Sequence, residues 1–133
     1  MKPETLRNKY IKQSHAWLSK KAQIVFNAWI RKRDSKDNYF KCCSCGKFKG
    51  QSQMQAGHYY PVGSHKGIRF DERNVHGQCV KCNYFDEGGR HNKYTEFMEK
   101  KYGKDIFDKL LVKNRLTRHD KFSLIEIILK YKT

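Results

Sequence analysis

The chain has 133 residues, 38% hydrophobic and 14% aromatic, which is enough for one compact domain with a modest core. Lysine and arginine number 29 against 13 acidic residues, for a formal net charge of +16. Such an excess indicates a polyanionic partner, most commonly nucleic acid. No apolar run approaches the roughly 20 residues of a membrane span, and the N-terminus lacks an apolar signal core, so membrane and secreted proteins are disfavoured.

A helix is predicted over residues 14–33, with Ser14 as a suitable N-cap. Apolar residues follow at helical spacing and predict the face that packs into the core: Leu18, Ala22, Val25 and Trp29. Basic residues on the other faces of this helix are candidates for contact with DNA: Lys20, Lys21, Arg31 and Arg33.

The middle of the chain, residues 34–93, is rich in Gly, Cys, His and turn-forming residues. It shows no long periodic pattern. We therefore expect short elements stapled by a metal, in a unit that spans residues 40–93.

Helical patterns return over residues 94–131. The first ends at Gly103, a typical C-cap, and has an inward face of Tyr94, Phe97 and Met98. A shorter helix follows in "DIFDKLL". Ser123 and Glu126 have the spacing of a capping box and are expected to open the last helix, "LIEIILKYK". Together these segments predict one α+β domain over residues 1–133.

The most specific pattern in the sequence is a pair of C-x2-C motifs. In the reducing cytoplasm expected for a chain without a signal sequence, cysteines are more often metal ligands than disulfides. The two motifs supply the four soft thiolates of a tetrahedral structural zinc site: Cys42, Cys45, Cys79 and Cys82. Cys43 lies between two of them, and its side chain should point elsewhere. A zinc ion with all four positions filled would stabilise the fold without taking part in chemistry.

The segment between the two motifs holds the candidates for chemistry. "QAGHYYP" predicts a short strand that carries His58 and ends at Pro61, and the chain returns through Asn74. A histidine with a pKa near neutral can act as a general base. Asn83 directly follows the second motif, and its amide oxygen could hold a hard cation such as Mg²⁺. Two arginines in the returning segment suit phosphate contact: Arg69 and Arg73.

The order of His58, Asn74 and the C-x2-C-N step resembles the His-Asn-His (HNH) nucleases, whose ββα-metal unit is often closed by two zinc knuckles. The strings "SKKAQIVFNAWIRKRD", "CCSCG", "AGHYY" and "RFDERNVHGQCVKCN" further resemble the phage recombination endonucleases of the Rap/NinG family. The resemblance implies an HNH-like, zinc-stapled ββα unit flanked by an N-terminal helix and C-terminal helices. It also implies a structure-specific endonuclease for branched DNA, such as D-loops and three-way or Holliday-type junctions.

The resemblance assigns a role to each residue of the motif. It implies that His58 is the general base, that Asn83 binds a catalytic Mg²⁺ or Mn²⁺, and that Asn74 orients the strand that carries His58. Many of these nucleases have a second metal ligand directly before the general base, where this chain has Gly57. Four nearby residues remain open as that second ligand: Asp71, His76, Asp86 and His91. The other histidines are expected to be structural: His15, His65 and His119.

Two other functions remain open. One is a nuclease-derived DNA-binding module that has lost cleavage, which Gly57 makes plausible. The other is a zinc-ribbon adaptor that binds a host or phage recombination protein through its C-terminal helices. Monomer and dimer are both open, and the expected location is the cytoplasm of a bacterial host, as a phage or prophage product.

Overall fold

The structure is a computed structural model that describes residues 1–85 and 90–132. The described residues form six helices: α1 (Pro3–Tyr10), α2 (His15–Arg33), α3 (Val80–Phe85), α4 (Arg90–Tyr102), α5 (Ile106–Leu116) and α6 (Lys121–Tyr131). They also form five strands: β1 (Ser35–Lys36), β2 (Tyr39–Lys41), β3 (Phe48–Gly50), β4 (Met54–His58) and β5 (Val75–Cys79). Helices and two small sheets confirm the predicted α+β class. None of the described helices is both long and apolar enough to cross a membrane.

The 19-residue helix α2 lies at the centre of the main apolar cluster. Ser14 caps it as predicted, since its Oγ accepts a hydrogen bond from the Trp17 amide at 3.0 Å. Val25 and Trp29, expected in the core, are only half-buried. The helix packs against both α6 and the β4–β5 hairpin. Its buried row therefore lies between these two contacts, at four-residue spacing: Leu18, Ala22, Phe26 and Ile30.

Helix α6 begins earlier than the predicted capping box. Asp120 is the N-cap, and its carboxylate accepts a hydrogen bond from the Ser123 amide at 2.8 Å. The side chain of Ser123 instead contacts His119 Nδ1, and Glu126 pairs with Arg7. Aspartate caps a helix as well as serine does, and the earlier cap adds almost one turn to the helix.

The other C-terminal helices follow the predicted order. The N–H of Gly103 donates to the Glu99 carbonyl at 2.8 Å, and the positive φ of Gly103, 92°, suits glycine at the end of α4. Tyr94 and Met98 are fully buried, as predicted. α5 extends to Leu116, beyond the predicted "DIFDKLL", and α1 has no counterpart among the predicted helices.

The two sheets are both antiparallel. β1, β2 and β3 form one sheet, with a tight turn at Asp37 and Asn38, whose φ values are 53° and 68°. Aspartate and asparagine tolerate this left-handed region better than most residues. β4 and β5 form a separate hairpin, and its register runs from Met54 opposite Cys79 to His58 opposite Val75. α3 starts directly after β5, so this unit has the order strand, strand, helix.

Hydrogen bonds fix the end of α2 to this hairpin. Asp34 accepts a hydrogen bond from the Gly77 amide at 2.8 Å and pairs with Arg33 at 2.6 Å. The Arg33 guanidinium also donates to the carbonyls of Glu72 and Val75, at 2.9 and 2.8 Å. Arg33 is therefore occupied by partners within the protein, which disfavours the DNA contact expected of it.

Candidate metal centre and active site

Four cysteines from two distant segments come together beside the β4–β5 hairpin. Cys42 and Cys45 lie in the turn between β2 and β3, where Gly46 has a φ of 74° and donates its N–H to the Cys42 carbonyl at 2.9 Å. Cys79 ends β5, and Cys82 lies in α3. Their four Sγ atoms all lie within 4.8 Å of one another.

This cluster suits a metal ion such as zinc. A tetrahedral site with Zn–S distances of about 2.3 Å places its sulfur atoms somewhat closer together than this, so only small side-chain movements are needed. The Cys79 amide donates to Cys42 Sγ at 3.3 Å, a contact that favours a thiolate. Cys43, as predicted, points elsewhere and is buried among the aromatic residues packed on α4 and α5.

His58 lies at the end of β4 with its ring half-buried. Its Nε2 is 3.0 Å from the carbonyl oxygen of Arg69. The Gln23 amide nitrogen lies farther from the same ring nitrogen, at 3.3 Å. A carbonyl can only accept a hydrogen bond, so the shorter contact assigns the proton to Nε2 and makes Nδ1 the basic nitrogen of the neutral ring. The Gln23 side-chain amide lies beside this contact between His58 and Arg69. Its Nε2 donates to Asn27 Oδ1 at 2.8 Å, and its Oε1 accepts from Arg69 Nε at 2.8 Å. No motif in the sequence indicates Gln23.

The pKa of His58 is lowered. Burial is the main cause, and the positive charge of Arg69 acts in the same direction, while the carbonyls of Arg69 and Ala56 oppose them. The ring is therefore neutral at pH 7 and able to accept a proton. This is the protonation state that a general base requires.

Asn74 makes the cross-loop hydrogen bonds expected of it. The side chain is fully buried, its Oδ1 accepts from the Tyr60 amide at 2.9 Å, and its Nδ2 donates to the Tyr60 carbonyl at 3.2 Å. Its own carbonyl accepts from the Tyr59 amide at 2.8 Å. β4 therefore ends at His58 rather than at the predicted Pro61, because Asn74 takes the next two backbone amides.

Asn83 is exposed on α3, and its Nδ2 donates to Gln55 Oε1. Asn83 Oδ1 has no hydrogen bond to any other residue in the described part of the chain, so it is the oxygen available to a hard cation. Gln55 and His58 are three residues apart on β4, and alternation places them on opposite faces of the hairpin. Asn83 therefore contacts the side chain on the Gln55 face of β4, and His58 starts from the other face at the end of the strand.

Gln78 explains why glycine stands before His58. A Cβ at Gly57 would lie 2.1 Å from Gln78 Oε1, so any side chain at position 57 would collide with this buried amide. Gln78 Nε2 in turn donates to Ser44 Oγ at 2.7 Å. Gln78 thus fills the space beside Gly57 where the HNH resemblance predicted a second metal ligand, and the exposed Gln55 is the side chain in contact with Asn83.

The residues proposed as the second ligand have other partners. Both ring nitrogens of His76 contact tyrosine hydroxyls, Nδ1 with Tyr94 at 3.2 Å and Nε2 with Tyr102 at 2.7 Å. Burial lowers the pKa of His76 to about 3. His91 Nε2 is 3.2 Å from the Tyr59 carbonyl, and the two rings stack. Asp86 lies outside the described residues.

Asp71 stabilises the loop between β4 and β5. Its side chain is only 3% exposed, and it accepts hydrogen bonds from Arg73 at 3.0 Å and from Lys113 at 2.6 Å. Burial would raise the pKa of Asp71, but these hydrogen bonds outweigh burial and lower the pKa to about 2. Arg73, a candidate for phosphate contact, therefore also holds the loop.

Arg69, in the loop between β4 and β5, contributes to a basic cleft of about 250 Å³. The start of α2 forms one wall, and the segment between α5 and α6 forms the other, where the His119 carbonyl is 2.8 Å from His15 Nε2. Among the described residues, no acidic side chain lines this cleft: its walls are His15, Ser19, Lys66, Arg69, Thr117, Arg118, His119 and Leu124. Arg31 lies half-buried on α2 outside this group, and His65 contacts Ser64 in the loop.

The sequence profile described as "Bacteriophage Lambda NinG protein" matches residues 2–133. The chain belongs to the NinG family. It is 41% identical over 83 residues to "Protein ninG" of Escherichia phage 933W and of Salmonella phage P22, and 40% identical to that of Escherichia phage lambda. Each match covers 62% of this chain but only 38–39% of the relative, so the shared region is about two-fifths of these phage proteins. No solved structure matches the chain significantly.

We expect this NinG-family protein to bind one zinc ion per chain, and Cys79→Ser to lose both the metal and the fold. Structural zinc contributes about 10–16 kcal/mol in small zinc-binding peptides, comparable to the whole stability of a small domain. Metal analysis and circular dichroism on freshly purified protein measure both effects. Cys43→Ala is the matched control, because it removes a buried cysteine that lies outside the cluster, and it should keep a full equivalent of zinc. A folded Cys79→Ser variant with full zinc would contradict the assignment.

The acid stability of this NinG-family protein should depend on Asp71. The folded pKa is lower than the unfolded one, so the contribution is fully present above about pH 4 and is lost as the pH falls towards 2. The pKa difference corresponds to about 2 kcal/mol. Because acid also releases zinc from the thiolates and so unfolds the protein, urea unfolding is compared at about pH 7, where the full contribution of Asp71 is present and Asp71→Asn should be less stable than the parent. Equal stability of the two zinc-loaded proteins would contradict this role.

Proposed function

We propose that this chain is a structure-specific DNA endonuclease of phage recombination that hydrolyses phosphodiester bonds in branched DNA. The observation that carries the proposal is the environment of His58. Its ring is neutral at pH 7, its Nε2–H is held by the Arg69 carbonyl, and the same Arg69 lines a cleft whose described walls are basic and neutral. A base beside a site suited to phosphate is what hydrolysis of the DNA backbone requires.

His58 would act on water. Its Nδ1 would accept a proton from a water molecule as the water oxygen attacks the phosphorus, and the leaving sugar oxygen would then need a proton or a cation. The hydrogen bond from Nε2–H to the Arg69 carbonyl would stabilise the protonated ring that forms. The Gln23 amide, hydrogen-bonded to both Asn27 and Arg69, would hold this group in place.

A divalent cation, Mg²⁺ or Mn²⁺, would be held by Asn83 Oδ1, with the Gln55 amide beside it. Such an ion would neutralise charge on the phosphate and on the leaving oxygen. Two neutral amides bind a hard cation weakly, so we infer that water and DNA phosphate complete its coordination. Asp86 is not assigned to this site.

The ββα-metal arrangement of the HNH nucleases accounts for the order of these elements. β4 carries the base, β5 returns through Asn74, and α3 carries Asn83 directly after the last cysteine. The cysteine cluster would hold the helix against the strands. Tight positioning of this kind is needed because small displacements of catalytic groups are costly.

A non-cleaving DNA-binding module is the second candidate. Its support is Gln78, whose amide fills the space beside Gly57 where another metal ligand was expected. The zinc-ribbon adaptor that binds a recombination protein lacks a comparable observation. Both the endonuclease and the non-cleaving module require binding to branched DNA, so measurement of cleavage distinguishes them.

We expect His58→Ala to lower cleavage of a three-way junction in Mg²⁺ by about 10²–10⁴-fold, because removal of a general base has an effect of this size. Junction affinity should change little, since the base acts in the transition state. His65→Ala is the matched control, a histidine in the loop that follows β4 with no assigned role, and it should cleave normally. Equal cleavage by His58→Ala and the parent would remove His58 from catalysis, and absence of cleavage by the parent would favour the binding module.

The proposed cation site is tested in the same assay. Asn83→Ala should require much more Mg²⁺ or Mn²⁺, whereas Asn83→Asp, which supplies a carboxylate oxygen at the same position, should restore cleavage. An Asn83→Ala variant with an unchanged metal requirement would place the cation elsewhere.

DNA affinity should fall steeply with salt, and the basic cleft should supply part of this dependence. Each phosphate contact contributes about 0.9 to the slope of log affinity against log salt, so Lys66→Gln with Arg118→Gln should lower the slope by about 2. Lys104→Gln with Lys109→Gln makes the same change in charge outside the cleft and is the control. We expect a three-way junction and a D-loop mimic to bind more tightly than a linear duplex at moderate salt. Equal affinity for all three would contradict branch recognition, and a flat salt response would contradict the electrostatic basis of binding.

A further inference from the structure

The three-stranded sheet formed by β1, β2 and β3 has one buried face and one exposed face. Phe40, in the middle of β2, is 2% exposed and packs with Met54 and the cysteines of the cluster. Tyr39 and Lys41 flank Phe40 in the strand and therefore point the opposite way, towards solvent. In the part of the chain that the structure describes, neither the cysteine cluster nor the His58 site uses this outer face.

Two large aromatic side chains stand on the outer face. Tyr39 is 61% exposed and Phe48 is 75% exposed. Neither ring stacks on another ring or on a cation within the described part of the chain. Two large rings so exposed on one small sheet commonly mark a surface that another molecule covers.

Each of these rings lies directly across from a lysine on the neighbouring strand. Tyr39 on β2 is opposite Lys36 on β1, and Phe48 on β3 is opposite Lys41 on β2. Directly opposed residues of an antiparallel pair share a face. Lys47 is exposed next to Phe48, and the nearest acidic residue in sequence is the exposed Asp37 in the turn beside Tyr39.

Rings interleaved with lysines suit single-stranded nucleic acid. The lysines attract phosphate, and each ring offers a flat surface on which an unpaired base can stack whatever its identity. Tyr39 and Phe48 are diagonal neighbours across the β2–β3 pair, with a backbone separation of roughly 7–8 Å. This spacing suits two bases of one extended strand.

We propose that the outer face of the β1–β3 sheet binds unpaired bases of single-stranded DNA through Tyr39 and Phe48. The inference rests on the proposed function only in taking DNA as the partner, and it does not require cleavage. Unpaired bases occur where duplex arms diverge and in the displaced strand of a D-loop. A sheet face that holds them would thus help to distinguish a branch from a continuous duplex.

The test compares binding of a fluorescently labelled oligo-dT strand with binding of a blunt duplex of equal length at moderate salt. Tyr39→Ala with Phe48→Ala should lower affinity for oligo-dT by at least about fivefold for each ring removed, and should leave duplex affinity nearly unchanged. Tyr39→Phe with Phe48→Tyr keeps both rings and should bind oligo-dT like the parent. Phe122→Ala is the control for loss of an exposed aromatic, since Phe122 is 70% exposed on α6.

A second measurement separates stacking from a general loss of charge attraction. A strand that contains 2-aminopurine should lose fluorescence on binding the parent, and less on binding the double alanine variant. Zinc content shows whether the double alanine variant retains its fold, and the single alanine variants provide the same comparison with one ring removed at a time. Unchanged oligo-dT affinity in the folded double variant would overturn the proposal and leave the face for a protein partner. An equal loss for oligo-dT and duplex would also overturn it. Either result could occur with cleavage intact, so failure here is distinct from failure of the endonuclease proposal.

Discussion

Closure of the four-cysteine cluster is the constraint on which the rest of this structure depends. The turn between β2 and β3 contributes one pair of thiols, and the end of β5 with α3 contributes the other. These elements are short, and strands of three to five residues with a six-residue helix have little stability alone. A metal bound at the cluster would join them at one point. It would set the position of α3, and therefore of Asn83, against the hairpin.

The position of His58 depends on a second set of contacts, made mostly by backbone groups. Asn74 holds the strand after His58 through the two amides that follow it, and Asp71 holds the next turn through Arg73 and Lys113. The loop thereby brings the Arg69 carbonyl to Nε2 of the imidazole. A carbonyl fixes the tautomer without adding a negative charge, so the ring stays neutral and basic at Nδ1.

The basic surface has a different character in different places. Some arginines are neutralised and fix the fold: Arg33 joins α2 to β5, and Arg73 holds Asp71. Other basic side chains line the cleft, whose described walls hold no acidic residue, so a phosphate would meet little competition there: Lys66, Arg69 and Arg118. A third group of lysines is interleaved with exposed rings on the β1–β3 sheet. The net charge of +16 therefore comprises charges that serve the fold and charges that remain available to DNA.

The sequence by itself determined the features that depend on local spacing. Two C-x2-C motifs predicted the cysteine cluster, Ser14 predicted the start of α2, and Gly103 predicted the end of α4, because metal ligation and helix capping are decided within a few residues. Only the tertiary structure decided which polar side chains face each other. Gln23, Gln55 and Gln78 carry no recognisable motif, yet they contact the His58 group, Asn83 and the space beside Gly57. His76 was a reasonable candidate ligand from its place in the sequence, but α4 covers it and its tyrosines take both ring nitrogens. Such assignments depend on how α2 and α4 pack on the hairpin, and long-range packing of this kind leaves no periodic pattern in the sequence.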